Sequence, residues 1–340
     1  MQKKVAEFEI SQGGFTVRNK IGFLVVMVLL IGLIAAPVSA QAAKIGLIFA
    51  EGGLGDQSFN DAAYRGLKQA EKELGVDVIY VEPADIAEME EHQRAYAELG
   101  LDLVIVIGFI HQSALTEVSA DYPDVKFAIV DDVVDNPNVT SLLFEEHEGS
   151  FLVGIVAGMM TETNTVGFVG GMEVPLIRKF QVGFEEGVKW ANPDAQVLVN
   201  YAGAFDDPGR GRELAISQYE RGADIIYHAA GGTGSGVIDA AASNDFYAIG
   251  VDSDQDYMVP GKVLTSMIKR VDLAVYEVIK AAVEGTLEGG TWVFGVADGG
   301  VGTSEFLYTK DIIPQEVFDA IEEAKQKIIS GEIVVTNPLQ

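Results

Sequence analysis

Lys44-Ile45-Gly46-Leu47-Ile48-Phe49-Ala50 is a short unbroken apolar run, and the residues downstream of it give it its meaning. Residues 58–74 place Phe59, Ala63, Leu67, Ala70 and Leu74 at helical spacing and stop at Gly75. Residues 76–81 then read as a strand again. Continuous rather than alternating apolar strands suit burial on both faces, as in a parallel sheet with helices on each side. The alternation continues with a helix over 85–99, a strand over 103–107, a helix over 111–122 and a strand over 126–130. Strands that alternate with helices build βαβ units.

The pattern restarts with an extended segment at 139–144 and an apolar helix at 149–160. Strands are predicted at 165–169, 197–201, 225–228, 247–251 and 263–267, with helices at 175–190, 210–221, 234–243 and 271–284. Residues 291–296 read as extended, and a proline near its first turn opens a helix over 314–329. The fold class is therefore α/β, with two doubly wound parallel-sheet lobes and no flexible linker between them. A crossover near 139–146 and a return near 260–266 assign 44–143 plus about 263–290 to lobe I. They assign 144–262 plus about 291–330 to lobe II. Ligands bind outside the carboxyl ends of parallel strands, so the loops facing a shared cleft are the ones to search.

The first forty residues have a different character. Lys3, Lys4, Arg18 and Lys20 precede an apolar run over 21–36, and Pro37-Val38-Ser39-Ala40 comes next with small residues. That is the order of a secretory signal. The run is about 16 residues against the ~20 of a comfortable membrane span. Cleavage after Ala40 or retention as an N-terminal anchor are both open. The sequence has no cysteine, which excludes disulfides, zinc–thiolate sites and a lipid-bearing N-terminal cysteine. The expectation is an exported protein of the periplasm or cell surface that is not a lipoprotein. The formal charge is −28, and residues 1–40 hold four positive and two negative charges, so the remainder stands at −30. Such a surface repels phosphate backbones and argues against nucleic acid.

The glycine-rich turn Gly231-Gly232-Thr233-Gly234-Ser235-Gly236 fails each catalytic or phosphate motif on a named residue. A dinucleotide fingerprint started at Gly232 ends on Val237, no lysine follows for a phosphate loop, and Ser235 lacks the glycines of a nucleophile elbow. Asp252-Ser253-Asp254-Gln255-Asp256 begins like a calcium loop, but Tyr257 stands where glycine is needed and Val263 where an acid is needed. Asp131, Asp132 and Asp135 resemble the acidic cluster of a metal-dependent nucleoside hydrolase, with only Asp56 near the chain start to help. His92, His111, His147 and His228 sit in no metal-binding spacing. No nucleophile–base pair emerges, and neither an enzyme, a cofactor nor a metal is expected. Aromatics, small residues and scattered loop carboxylates are the means of holding a small polar ligand.

Seven segments, in order, carry a resemblance. They begin at Gly55-Asp56-Gln57-Ser58-Phe59-Asn60, Glu148-Gly149-Ser150-Phe151, Gly167-Phe168-Val169-Gly170, Tyr201-Ala202-Gly203-Ala204-Phe205-Asp206, Ala229-Ala230-Gly231-Gly232, Gly250-Val251-Asp252-Ser253 and Thr265-Ser266-Met267-Ile268-Lys269-Arg270. From about Lys44 to beyond Phe306 the chain resembles the basic membrane protein family, the substrate-binding components of nucleoside ABC importers. The resemblance implies a type I periplasmic-binding fold with a three-strand hinge and a purine nucleoside (adenosine, guanosine or inosine) closed between the lobes. It implies permease and ATPase subunits as partners, with the protein itself a monomer. By similarity, Phe59 and Phe205 sandwich the base, and Asn60 and Asp131 bond its edge. Asp252 takes the ribose diol and Lys269 the ribose oxygens, while amides at Gly231 and Gly232 complete the sugar site and Asp56 lines the mouth. Some members take riboflavin instead, and the same rings would serve it. Taken alone, Phe59 also fits a core stripe, Asp132 competes with Asp131, Asp252 fits a turn cap and Lys269 a surface lysine. A ligand sensor for a membrane receptor is the other role the same cleft would fill.

Overall fold

A computed structural model describes residues 42–339, so the signal or anchor read at residues 1–40 lies outside the described residues. Two six-stranded sheets organise them. The first contains β1 (Lys44–Ile48), β2 (Asp77–Val81), β3 (Leu103–Ile107), β4 (Phe127–Val130), β5 (Val139–Phe144) and a late arrival, β11 (Gly290–Phe294). Its order is β11-β5-β4-β3-β1-β2, parallel throughout. The second contains β6 (Thr165–Gly170), β7 (Gln196–Tyr201), β8 (Ile225–Ala229), β9 (Tyr247–Asp252), β10 (Val263–Lys269) and β12 (Val301–Thr303). Its order is β12-β10-β9-β8-β6-β7, with only β12 antiparallel.

Burial follows position in the sheet. The inner strands β3, β4 and β8 are buried at every residue, while the edge strands β2 and β7 are not. In the first lobe α1 (Phe59–Leu74) packs on α8 (Val271–Glu284), with α2 (Ile86–Glu98) and α3 (Gln112–Asp121) on the other face. In the second lobe α4 (Glu146–Met160) packs on α5 (Pro175–Ala191), and α6 (Pro208–Glu220) on α7 (Thr233–Ser243). Helix α9 (Gln315–Ile329) lies against α4. The α4–α5 approach is close because Gly187 faces the Phe151 carbonyl, where a Cβ would stand 2.0 Å from the oxygen.

The chain passes between the sheets three times, at residue 145, at residue 270 and over 295–300. Backbone bonds tie the passages together. The Glu145 amide donates to Phe294 at 3.0 Å, and the Arg270 amide to Gly300 at 2.8 Å. Two expected boundaries are corrected. Residues 263–269 were expected in lobe I, but β10 pairs with β9 in the second sheet. Residues 291–294 were expected in lobe II, but β11 pairs with β5 in the first. The residue types of neither strand mark which sheet will accept it; pairing with the neighbouring strand decides. Among the described residues no helix is long and apolar enough to cross a membrane.

Candidate functional site

The carboxyl ends of the strands in both sheets face one cleft with a cavity of about 260 Å³. All nine expected site residues line it: Asp56, Phe59, Asn60, Asp131, Phe205, Gly231, Gly232, Asp252 and Lys269. Phe109, Leu176 and Phe180, which the sequence did not single out, add apolar wall.

The loop after β1 is held by its own acid. The Asp56 carboxylate accepts from the amides of Asn60 (2.8 Å), Ser58 (2.9 Å) and Asp61 (3.2 Å), which satisfies the second and third amides of α1. Burial raises its pKa to about 6, against the pull of those amides. Asp56 is therefore mainly a loop fastener. Asn60 is buried one turn on, and its Oδ1 accepts from the Ala50 amide at 3.0 Å, leaving Nδ2 toward the cavity. Phe59 is half-buried, with the Lys269 ammonium 5.1 Å from its ring centre.

On the facing wall, Phe205 meets Phe109 edge-on, with centroids 6.4 Å apart. Its ring lies against Gly171, where a Cβ would come within 2.3 Å of it. Thr233 holds the loop in place, since its amide donates to the Phe205 carbonyl and its hydroxyl to that of Ala204. Gly231 turns through a φ of 54°, in the left-handed region that favours glycine. Neither its amide nor that of Gly232 donates to an acceptor among the described residues.

The floor is a buried charge cluster. The Lys269 ammonium donates to Asp131 Oδ2 at 2.6 Å and lies 3.0 Å from Glu146 Oε1. Glu146 Oε2 in turn lies 2.5 Å from the Lys179 ammonium, which also donates to the Phe144 carbonyl. Rings of Phe144 (5.0 Å) and Phe180 (5.5 Å) flank Lys269. Burial alone would lower the lysine's pKa, but Asp131, Glu146 and Asp252 together raise it, so it stays charged. Burial pushes Asp131 up to about 7 against the pull of Lys269. Burial also raises Glu146, but Lys269 and Lys179 outweigh it and hold that carboxylate below its ordinary value. Asp252 is raised by burial, and its Oδ2 accepts from the Ser58 hydroxyl at 2.5 Å, leaving Oδ1 open to the cavity.

Of Asp131 and Asp132, Asp131 lines this cavity. Asp132 accepts from the Val133 amide at 2.7 Å and lines an adjoining cavity instead. Asp131 keeps Oδ1 buried and without a partner. Glu146 and Lys179 were missed because an acid beside an apolar helix reads as a solvated flank, and nothing local announces two lysines converging on it. His111 and His228 are buried and neutral, held to about 4 by desolvation, and bonded to the Phe49 carbonyl and to Gln255. Among the described residues no group of three or more His, Asp or Glu side chains is arranged to hold a metal ion.

A family model described as ABC transporter substrate-binding protein PnrA-like matches residues 42–338. The chain is 40% identical over 323 residues to a CD4+ T-cell-stimulating antigen of Listeria monocytogenes, covering 87% of this chain and 89% of the relative. It is 34% identical to an uncharacterized lipoprotein of Pyrococcus abyssi, covering 88% and 85%. A crystal structure of an ABC transporter solute-binding protein from Aeropyrum pernix superposes with a TM-score of 0.81 at 33% identity, covering 88% of this chain and 94% of that one. The two parallel-sheet lobes are thus those of the type I periplasmic-binding architecture.

Proposed function

The chain belongs to the PnrA-like substrate-binding proteins of ABC transporters, the basic membrane protein family, and from that membership we propose that its ligand is a nucleoside, with a purine as its base. One observation carries the reading. A single cavity presents aromatic rings, a donor–acceptor pair and an open carboxylate oxygen, each with capacity that the protein itself leaves unused. A flat base fits between Phe59 and Phe205, where stacking contributes roughly 1–3 kcal/mol per base. Asn60 Nδ2 offers a donor and Asp131 Oδ1 an acceptor to the base edge. Asp252 Oδ1 accepts from the ribose hydroxyls, and the amides of Gly231 and Gly232 donate to sugar oxygens. Lys269 donates one proton to Asp131 and sits within ion-pair distance of Glu146, which leaves donor capacity for the sugar.

In this reading the protein is exported, closes on its ligand and delivers it to a permease driven by an ATPase, both encoded elsewhere. Export is supported by the charged, apolar and small-residue order of residues 1–40. A lipid anchor of the kind implied by the name of the Pyrococcus relative has no cysteine here to carry it. Binding without turnover is the reading, in keeping with a family of substrate-binding proteins.

Denaturing the purified protein and identifying the released small molecule tests the ligand class. A purine nucleoside is expected, and a flavin, sugar or amino acid would overturn the assignment. Incubation with inosine is expected to release no free base; release that depends on Asp131 would make the protein a hydrolase. Phe205→Ala and Asp252→Ala are each expected to weaken nucleoside binding at least about tenfold, about 1.4 kcal/mol. Unchanged affinity in both folded variants would mean that the cleft residues are wrongly assigned.

A further inference from the structure

Ser58 stands at the N-cap of α1, where a serine hydroxyl ordinarily accepts from the second or third amide of the helix. Here it accepts from neither. Asp56 has taken over that capping, as its carboxylate accepts from the amides of Asn60 and Asp61, the second and third of the helix. The Ser58 hydroxyl is left free to act elsewhere. It reaches from the first lobe to the second and donates to Asp252 Oδ2 at 2.5 Å, with the Val251 carbonyl more distant at 3.3 Å. One hydroxyl has one proton, and the shorter bond, to the carboxyl oxygen, takes it.

The surroundings make this a built contact. Ser58 is fully buried and Asp252 only 7% exposed. The Ser253 hydroxyl donates to the Ser58 carbonyl at 2.9 Å and accepts from Arg65 Nη2 at 2.8 Å, so two residues of the first lobe clasp the end of β9. Asp252 itself has a φ of 63°, off the regular strand path, so strand geometry does not dictate where its carboxylate points.

We infer that Ser58 is a positioning residue for the ligand: it holds one carboxylate oxygen of Asp252 so that the other faces the cavity. The hydroxyl belongs to one lobe and the carboxylate to the other. The ligand-reading group is therefore aimed only when the lobes are together, which links affinity to closure. This deepens the nucleoside reading and rests on Asp252 contacting the ligand.

Titration calorimetry with inosine tests it, using wild type, Ser58→Ala, Ser58→Thr, Asp252→Ala and the Ser58→Ala/Asp252→Ala double variant. Asp56 still caps the helix in every one of them. Ser58→Ala is expected to bind about tenfold more weakly, about 1.4 kcal/mol. Ser58→Thr, which restores the hydroxyl, should fall within about threefold of wild type. In the Asp252→Ala background, Ser58→Ala should add less than about twofold, because its partner is gone. The inference is overturned if Ser58→Ala keeps wild-type affinity while Asp252→Ala does not, if its loss is the same in both backgrounds, or if threonine fails to rescue. If wild-type protein ignores inosine, the same titrations are run with adenosine and guanosine, and binding to none of the three would overturn the ligand reading itself, a distinct result.

Discussion

Replacing Glu146 with glutamine tests whether the charges at the hinge are a single unit. Glu146 is fully buried, with one ammonium 3.0 Å from one oxygen and another 2.5 Å from the other. Lys179 is 5% exposed and, once Glu146 is neutral, retains the Phe144 carbonyl as its nearby acceptor. Removing one partner of a buried pair costs about 3–5 kcal/mol. Lys269 still has Asp131 at 2.6 Å, which places Glu146→Gln at the low end, near 3 kcal/mol. For a chain of this size that is a fall in melting temperature of about 6 °C. Lys179→Met should cost a similar amount by leaving Glu146 short of one cation. The double variant Glu146→Gln/Lys179→Met removes the pair together, leaves Lys269 with Asp131, and restores the cluster's net charge. It should melt within about 2 °C of wild type, since neutral replacement of a whole buried pair is often tolerated. Calorimetric melts or urea unfolding of the four proteins provide the cycle. Additive losses, with the double variant about 12 °C below wild type, would refute the coupling.

Gly171→Ala should push the Phe205 ring out of place and weaken ligand binding several-fold while leaving the melting temperature nearly unchanged; an unaltered affinity would show that the ring position is not used. Asp56→Ala leaves three amides at the start of α1 without an acceptor and should cost about 1–2 kcal/mol, read as a lower urea midpoint. The response to acid comes from two opposed sets of groups. His111, His147 and His228 are lowered to about 4 by burial, so their stabilising effect is full above 6.5 and is lost as pH falls toward 4. Asp56 and Asp256 are raised by burial from 3.8 to about 6 and Asp131 to about 7, so theirs is full below 3.8 and is lost as pH rises through 6 to 7. Urea midpoints should therefore change little between pH 6 and 4.5 in the wild type. In Asp256→Asn, which removes an acid-favoured contribution, they should fall on acidification; an unchanged profile would count against the balance.

The repeating strand–helix pattern was legible because inner strands such as Leu103–Ile107 are apolar at every position and the helices between them are not. The loops were legible because strand ends in a doubly wound sheet converge. What stayed hidden was pairing. Nothing in Val263–Lys269 distinguishes a strand of the first sheet from one of the second, and that choice displaced the expected return by several residues. The charges were hidden for a related reason. Glu146 and Lys179 lie 33 positions apart and resemble solvated residues until α4 and α5 pack. Asp131 and Asp132 differ only in backbone path: Asp131 has a φ of 72°, which the pattern of residue types does not display. The role of Ser58 was masked because a serine before a helix already has an ordinary explanation.

The three passages between the lobes also set an order of completion. Thr140 of β5 is paired with Gly290 of β11, so one edge of the first sheet waits for residues synthesised about 150 positions later. A chain emerging from its amino end can assemble β1 to β5 early, but Val139–Phe144 keeps an open row of amides and carbonyls until nearly everything else has appeared. The second lobe depends in the same way on β12 and α9. Neither half can be finished and set aside before the other is begun. A molecule cut short before residue 290 would not be a one-lobed binder but an unsealed sheet in search of a strand.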